Sequence, residues 1–513
     1  MCSKFKVRES NVSRIKYRVL LCASILILGG LSTACSDSNH SGARDAQPQF
    51  LPVSQPSIEL PPAIGEPVLL STTFDLSEVG FVQEEFFITG TASSFRNLNE
   101  LGSDGRWEAE PAATADYRTR VVVYRPQKQE DFSGTVVMEW MNVSEGFDLP
   151  YGWVLSHVKA LRSGDAWVEV TAQRAGLEGT DDALFPLYLR AANPERYASL
   201  EHPGDSFSYD IFTQVTAVVK AAGENSILGG FPVEVIMAVG ESQSSSRLLT
   251  YVNAIQPLYG AFDAFLIDSR YNGSQPLSQA PQAEIRTPEQ VRFRDDLTTP
   301  VINTQSETDV IPLGSVDERQ PDSDYFRLWE VAGGAHGDNY QVDTGRSDIG
   351  IGPGFAAVVE NSVILGIIRC DTPLNSGVVP WVYIAALDAL DHWVRDGIAA
   401  PGADRLATTD DLSDYLYDDV GNVLGGIRTP YVDAPAARLS GEFNDGNPVC
   451  RLGGITELFS AATMATRYVD RQGYIDAVAE ATDRAVDAGF LLAPDATRIR
   501  AAAGLQWDTL EID

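Results

Sequence analysis

The sequence predicts an α/β fold, with a mostly parallel central sheet covered by helices on both faces. Three observations predict it. Beyond about residue 134, short apolar strands alternate with helices, the pattern of parallel strands joined by helical crossovers. One of these strands ends in Gly240-Glu241-Ser242-Gln243-Ser244 and runs directly into a helix. Two later strands end in loops that carry carboxylates and then a histidine. With 44% hydrophobic and 21% charged residues, the 513-residue chain can build a large core, which excludes global disorder.

The chain opens on a segment of different character. Residues 1–35 hold Lys4, Lys6, Arg8, Arg14, Lys16 and Arg18 against the single acid Glu9. An apolar run from Val19 to Leu31 follows, then Ser32-Thr33-Ala34-Cys35. A basic start, an apolar stretch and a small-residue cut site predict a signal peptide over residues 1–34. The apolar run is too short for a membrane-spanning helix of roughly 20 residues. Ser32-x-Ala34 suits ordinary secretion. Leu31–Cys35 resembles the bacterial lipobox, with Ser32 where leucine is usual, and that resemblance implies a lipid anchor at Cys35. Ser36 resembles the signal for outer-membrane sorting. The expectation is an exported lipoprotein of the bacterial envelope, with plain secretion as the alternative.

Cysteine arithmetic bears on the same point. Of five cysteines, Cys2 and Cys22 leave with the signal. Lipidation of Cys35 accounts for the odd thiol and leaves Cys370 and Cys450 as an even pair. A disulfide between them is expected; two unpaired buried thiols are the alternative. Residues 35–60 are polar and Pro/Ser-rich and read as a flexible tether.

The folded body, residues 61–400, begins with strands at Pro67–Phe74, Phe81–Gly90, Arg118–Tyr124 and Gly134–Met141, rich in β-branched and aromatic residues. The opening, hairpin-like strands should form the antiparallel edge of the sheet. Helix Trp153–Leu161, strand Ala166–Ala172, helix Tyr209–Ala222 and strand Val233–Val239 come next. Helix Gln243–Ile255 and strands Phe262–Ile267, Pro300–Thr304 and Phe326–Val331 complete the sheet. Residues 174–207 and 270–298 carry Pro, Gly and Gln breaks and read as insertions. Residues 401–513 read as a C-terminal extension packed on the core, with helices at Arg467–Ala488 and Pro494–Ala503.

The segment around Ser242 resembles the G-x-S-x-G nucleophile elbow of α/β-hydrolases. The chemistry needs a hydroxyl on a sharp strand-to-helix turn, with small residues two positions either side. Gly240 satisfies this, and Ser244 replaces the second glycine. The helix start also places free N–H groups beside the serine, so the Gln243 amide is the first candidate oxyanion donor. Gly204-Asp205-Ser206-Phe207-Ser208 matches the same pattern but has no strand before it; Asp205, Ser206 or Ser208 is expected to cap the next helix.

A serine nucleophile needs a base. His40 lies in the tether, His157 and His392 in helices, and His202 in an insertion. His336 sits in a Gly333–Gly337 loop after strand Phe326–Val331 and is the candidate base. The acid should stand between Ser242 and His336. Asp309 is preferred, Glu307 is the alternative, and Asp268 is a distant third. A second oxyanion donor should come from the loop after strand Gly134–Met141, at the Val143 or Ser144 amide.

On these segments the chain resembles the bacterial "alpha/beta hydrolase domain" family. The residues that carry the resemblance are FVQEEFFITGT (81–91), EWMN ending at Asn142, Trp167–Gln173, HPGDSFSYDIF (202–212), GESQS, QSETDV, GGAH and CDTPLNSG from Cys370. It covers roughly residues 60–510 and implies the α/β-hydrolase fold and a serine triad, without a substrate. The expected activity is hydrolysis of small-molecule carboxylic esters through an acyl-enzyme. An acyltransferase or peptidase on the same triad is one rival, and a catalytically inert envelope lipoprotein is another. The net charge of −33 argues against a nucleic-acid partner. No two histidines stand at metal-ligand spacing and no P-loop or dinucleotide fingerprint is present, so no metal or cofactor is expected. The oligomeric state is left open.

Overall fold

The computed structural model describes residues 50–181, 183 and 185–509. The expectations for the signal peptide, Cys35 and His40 lie outside the described residues. Nine strands form the main sheet: β1 (Ser57–Glu59), β2 (Phe81–Asn97), β3 (Ala109–Pro126), β4 (Thr135–Trp140), β5 (Ala166–Val170), β6 (Val235–Glu241), β7 (Ala264–Asp268), β8 (Val301–Ser306) and β9 (Phe326–Val331). Their order is β1-β2-β3-β5-β4-β6-β7-β8-β9. The pairs from β1 through β3–β5 are antiparallel. All pairs from β5–β4 to β8–β9 are parallel, so the C-terminal ends of β4, β6, β8 and β9 open on one edge. In such sheets that edge is where ligands bind.

Strand alternation explains the two-sided burial. In β6, Val235, Met237 and Val239 enter one buried cluster, while Ile236 and Ala238 enter the other. Helices α1 (Tyr151–Ser163) and, later in the chain, Val379–Asp396 cover the first face. Helices α2 (Ser208–Lys220) and α3 (Gln243–Thr250) cover the second. The C-terminal helices Ala461–Tyr468, Arg471–Asp487 and Ala493–Thr509 bury Met464, Val478 and Ile499 in the first cluster, beside Trp381 and Leu387.

Four details differ from expectation. The segment Pro67–Phe74 is not a strand. Side chains take its backbone groups: Val68 N–H donates to the Tyr197 hydroxyl (2.9 Å), and the Val68 carbonyl accepts from Arg120 (2.6 Å). The expected tether ends before residue 60, because Ser57–Glu59 pairs with Phe87–Thr89 and Leu51 N–H donates to the Leu258 carbonyl (2.7 Å). The single helix expected over Arg467–Ala488 is two, divided at Val469, whose φ of 67° breaks the helix before Asp470 caps the next. None of Asp205, Ser206 and Ser208 caps α2.

Cys370 and Cys450 form a disulfide across a separation of 80 residues, with Cα atoms 5.6 Å apart. Closing a loop of that length stabilises by about 4–5 kcal/mol in the chain-entropy picture. Among the described residues, no helix is long and apolar enough to cross a membrane.

Candidate active site

Ser242 stands between β6 and α3 with φ 55° and ψ −116°, a left-handed conformation that costs a non-glycine residue energy. The turn is held from both sides. Ser242 N–H donates to the Asp268 carbonyl at the end of β7 (3.0 Å), and Ser246 N–H donates to the Ser242 carbonyl (3.1 Å). A Cβ on Gly240 would meet the Ser244 backbone at 3.0 Å, tighter than ordinary contact, so glycine eases the close approach of strand and helix there. Ser244, in place of the second glycine, is used: its hydroxyl accepts from Glu241 N–H (2.9 Å) and donates to the Glu241 carbonyl (2.8 Å).

His336 Nε2 lies 2.9 Å from Ser242 Oγ, and its Nδ1 lies 2.6 Å from Asp309 Oδ1. Asp309 Oδ2 accepts from both the amide and the hydroxyl of Ser306, each at 2.7 Å. Asp309 therefore sits at the third position of a one-turn helix, Glu307–Val310, whose first-turn capping orients it. The structure brings Ser242, His336 and Asp309 into one line and leaves the alternatives elsewhere. Glu307 turns away from His336. Its oxygens accept from Gly333 N–H (2.6 Å) and Gly441 N–H (2.8 Å), and burial pushes its carboxyl up to about 7. Asp268 is buried against the Thr304 hydroxyl, and burial holds its carboxyl well above the usual range.

The acid and histidine loops are zipped together. Glu307 N–H donates to the Gly334 carbonyl (3.2 Å), and His336 N–H donates to the Thr308 hydroxyl (3.3 Å). From the other side, the Asn375 side-chain amide donates to the Gly333 carbonyl (2.9 Å).

The remaining histidines have other tasks. His157 is buried with both ring nitrogens on backbone carbonyls, including Asp348 (2.6 Å). His202 Nε2 donates to the Ala172 carbonyl (2.9 Å), and His392 is exposed beside Asp396. Ser206 is buried, with its hydroxyl accepting from Gln279 N–H (2.8 Å).

Gln243 is the first residue of α3, and Val143 lies in the loop 142–149. That loop is closed by reciprocal backbone bonds between Asn142 and Leu149 (3.2 and 2.8 Å). The Val143 amide has no backbone partner among the described residues. The loop runs into α1, whose start is fixed by buried Glu139, which accepts from Gly152 N–H (2.7 Å) and Trp153 N–H (3.0 Å).

Sequence reasoning missed Glu241. It is 2% exposed, and its Oε1 lies 3.4 Å from His336 Nε2. Its Oε2 and its carbonyl both accept from the Asn142 side-chain amide (3.0 Å each), which latches the Val143 loop to the elbow. Burial pushes the Glu241 carboxyl up to about 7 against the pull of His336. For His336 itself, burial acts to lower the pKa. Asp309 first, then Glu241 and Asp268, outweigh that and raise it to about 9. Among the described residues, no cluster of three or more His, Cys, Asp or Glu is arranged to hold a metal ion.

This strand order, with an elbow after β6, an acid after β8 and a histidine after β9, is that of an α/β-hydrolase fold. The chain belongs to the family described as "Alpha/beta hydrolase domain", which it matches over residues 53–501. No curated protein matches it. Among solved structures it is similar to acetyl xylan esterase 1 from Thermoanaerobacterium sp. JW/SL YS485, at 12% identity and a TM-score of 0.23, over 42% of this chain and 53% of that one. The match thus spans about half of that esterase. A serine hydrolase without a lid from Xanthomonas campestris matches at 12% identity and a TM-score of 0.25, over 47% of this chain and 83% of the other. A glucuronoyl esterase from Teredinibacter turnerae T7901 matches at 12% and 0.27, over 57% and 78%. Likenesses of this size carry no argument about substrate.

Proposed function

We propose that the protein is a serine hydrolase of carboxylic esters that works through an acyl-enzyme. The observation that carries this reading is the line from Ser242 Oγ through the His336 ring to Asp309, at 2.9 and 2.6 Å. His336 Nε2 takes the Ser242 proton as Oγ attacks the ester carbonyl carbon. Asp309 holds the tautomer with the proton on Nδ1 and stabilises the imidazolium. The Gln243 and Val143 amides receive the oxyanion, each such donor being worth roughly 10²–10³ in rate. Collapse expels the alcohol, which leaves with the proton from Nε2, and water repeats the sequence on the acyl-enzyme. Labelling of Ser242 by a fluorophosphonate tests the nucleophile; an unlabelled serine in folded protein would favour an inert lipoprotein.

The charge around His336 sets a pH dependence. Only the neutral ring accepts the serine proton, and its pKa is raised to about 9. We expect kcat/KM to fall about tenfold per pH unit below that midpoint. Glu241→Gln removes a carboxylate 3.4 Å from Nε2 and moves the midpoint to lower pH. A profile flat from pH 6 to 9 would contradict this.

We also propose export with a lipid anchor at Cys35. The basic start, apolar run and Ser32–Cys35 cut site support it, as does a disulfide, which belongs to oxidising compartments. In a bacterial host the full chain should partition with membranes and Cys35→Ala should not. Equal partition of the two would overturn the proposal.

A further inference from the structure

An apolar cavity of about 310 Å³, within the range of small-molecule sites, is lined from the loop that carries Val143 and from the segment after His336. Its walls include Phe147, Leu149, Val154, Leu187, Ile364 and Ile368. We infer that this cavity receives the acyl chain of the substrate, and that the preferred esters carry an unbranched apolar acyl group of about eight carbons. The inference rests on the ester-hydrolase reading and adds the substrate class.

Two connections place the cavity at the reacting centre. Leu149 is the far limb of the loop that carries Val143, bonded back to Asn142 through both backbone groups. Gln341, which also lines the cavity, places its side chain beside the carboxyl of Glu241, the residue before Ser242. The walls therefore reach a neighbour of Glu241 on one side and the limb facing Val143 on the other. Six lining residues, Glu145 to Val154, come from the oxyanion-loop side, while Gln341, Val342, Arg346 and the hairpin residues Ile364, Leu365, Ile367 and Ile368 form the opposite wall. The leaving alcohol must stand at His336 Nε2 to be protonated, and His336 is not among the described lining residues whereas the loop of Val143 is, so the cavity takes the acyl part. Among the described lining residues Arg346 is the one cation, with its Nε donating to the Ser71 carbonyl (2.7 Å), and most of the other lining residues are apolar.

The far wall is built in advance. Ile364 and Ile368 belong to a two-stranded hairpin that registers Val363 with Arg369 and Ile364 with Ile368. Leu365 N–H donates to Asp343 Oδ1 (2.7 Å), which ties the hairpin to the segment after His336. Cys370, at the hairpin's end, is joined to Cys450, and the neighbouring Val449 also lines the cavity. The disulfide thus clamps two parts of one wall. At ~30 Å³ per water-sized group the space of about 310 Å³ holds about ten such groups, which accommodates an eight-carbon acyl chain.

The test is a p-nitrophenyl ester series from acetate to palmitate on residues 36–513, beside Leu187→Trp, with fluorophosphonate labelling of Ser242 run on both. Each methylene buried should raise kcat/KM about fourfold, equivalent to ~0.8 kcal/mol. The rise should run to octanoate and stop by dodecanoate. Leu187→Trp fills the cavity and should lower the octanoate-to-acetate ratio at least tenfold. A wild-type profile flat from acetate to octanoate overturns the assignment without need of any variant. So does an unchanged ratio in a folded Leu187→Trp. Labelled Ser242 with either result defeats the cavity assignment alone; unlabelled Ser242 defeats the hydrolase reading and this inference with it.

Discussion

Ser242→Ala should lower kcat for p-nitrophenyl esters by about 10⁶, to the level left by the oxyanion donors and binding alone. The size of the loss follows from what the geometry isolates. Ser242 Oγ is the only hydroxyl on His336 Nε2, at 2.9 Å among the described residues. Its neighbours are committed: Ser244 bonds the Glu241 backbone and Ser245 donates to the Ser242 carbonyl (2.7 Å). No nearby serine can substitute, and water admitted to the space left by Oγ would have to attack without covalent catalysis. The variant should keep its stability nearly intact, because the elbow is held by the Ser242 backbone and not by its hydroxyl. Steady-state rates with a matched thermal melt check both halves. A loss below tenfold, with the melt unchanged, would place the chemistry elsewhere.

How much of this candidate site could be read from the sequence depends on the range of the contacts. The elbow is local: a strand, Gly240, a serine and a helix within one segment, so it could be read directly. His336 and Asp309 were legible because parallel α/β strands deliver their C-terminal residues to one edge, and chain order then limits the choices. The preference of Asp309 over Glu307 was a matter of spacing in the sequence. In the structure the helical turn aims the third residue at His336 and the first at Gly333, which favours the same choice. Glu241 was unreadable because its partner Asn142 is 99 residues away, and G-x-S-x-G leaves that position unrestricted. Its sign in the sequence was an acid placed directly before the serine, in a strand otherwise apolar. The Pro67–Phe74 strand failed for the converse reason. Its pattern was strand-like, but Tyr197 and Arg120 take the backbone groups that a neighbouring strand would have used.

The two carboxylates after β8 should answer to amidation in opposite ways. In Asp309→Asn, the Oδ2 site accepts two donors from Ser306, so the amide oxygen must stay there and the NH₂ group must face His336. An N–H donor at Nδ1 forces the tautomer that carries its proton on Nε2. That ring cannot take the Ser242 proton, and kcat should fall about 10⁴-fold with little loss of stability. Glu307→Gln meets a different geometry. Both Glu307 oxygens accept backbone N–H groups, from Gly333 and Gly441, so one of them must now face NH₂. A buried donor left without an acceptor costs about 1–3 kcal/mol, and the loss appears in the melt before it appears in kcat. The cost also depends on pH. The Glu307 carboxyl is raised to about 7 in the folded chain, so the folded state binds more protons than the unfolded state between the ordinary carboxylate range and pH 7. Wild-type stability contributed by this group therefore declines as pH rises through that window, while a glutamine does not titrate. The stability gap between wild type and Glu307→Gln should narrow from pH 5 to pH 7. Asp309→Asn with near-normal kcat, beside Glu307→Gln with a 10⁴-fold loss, would exchange the two roles.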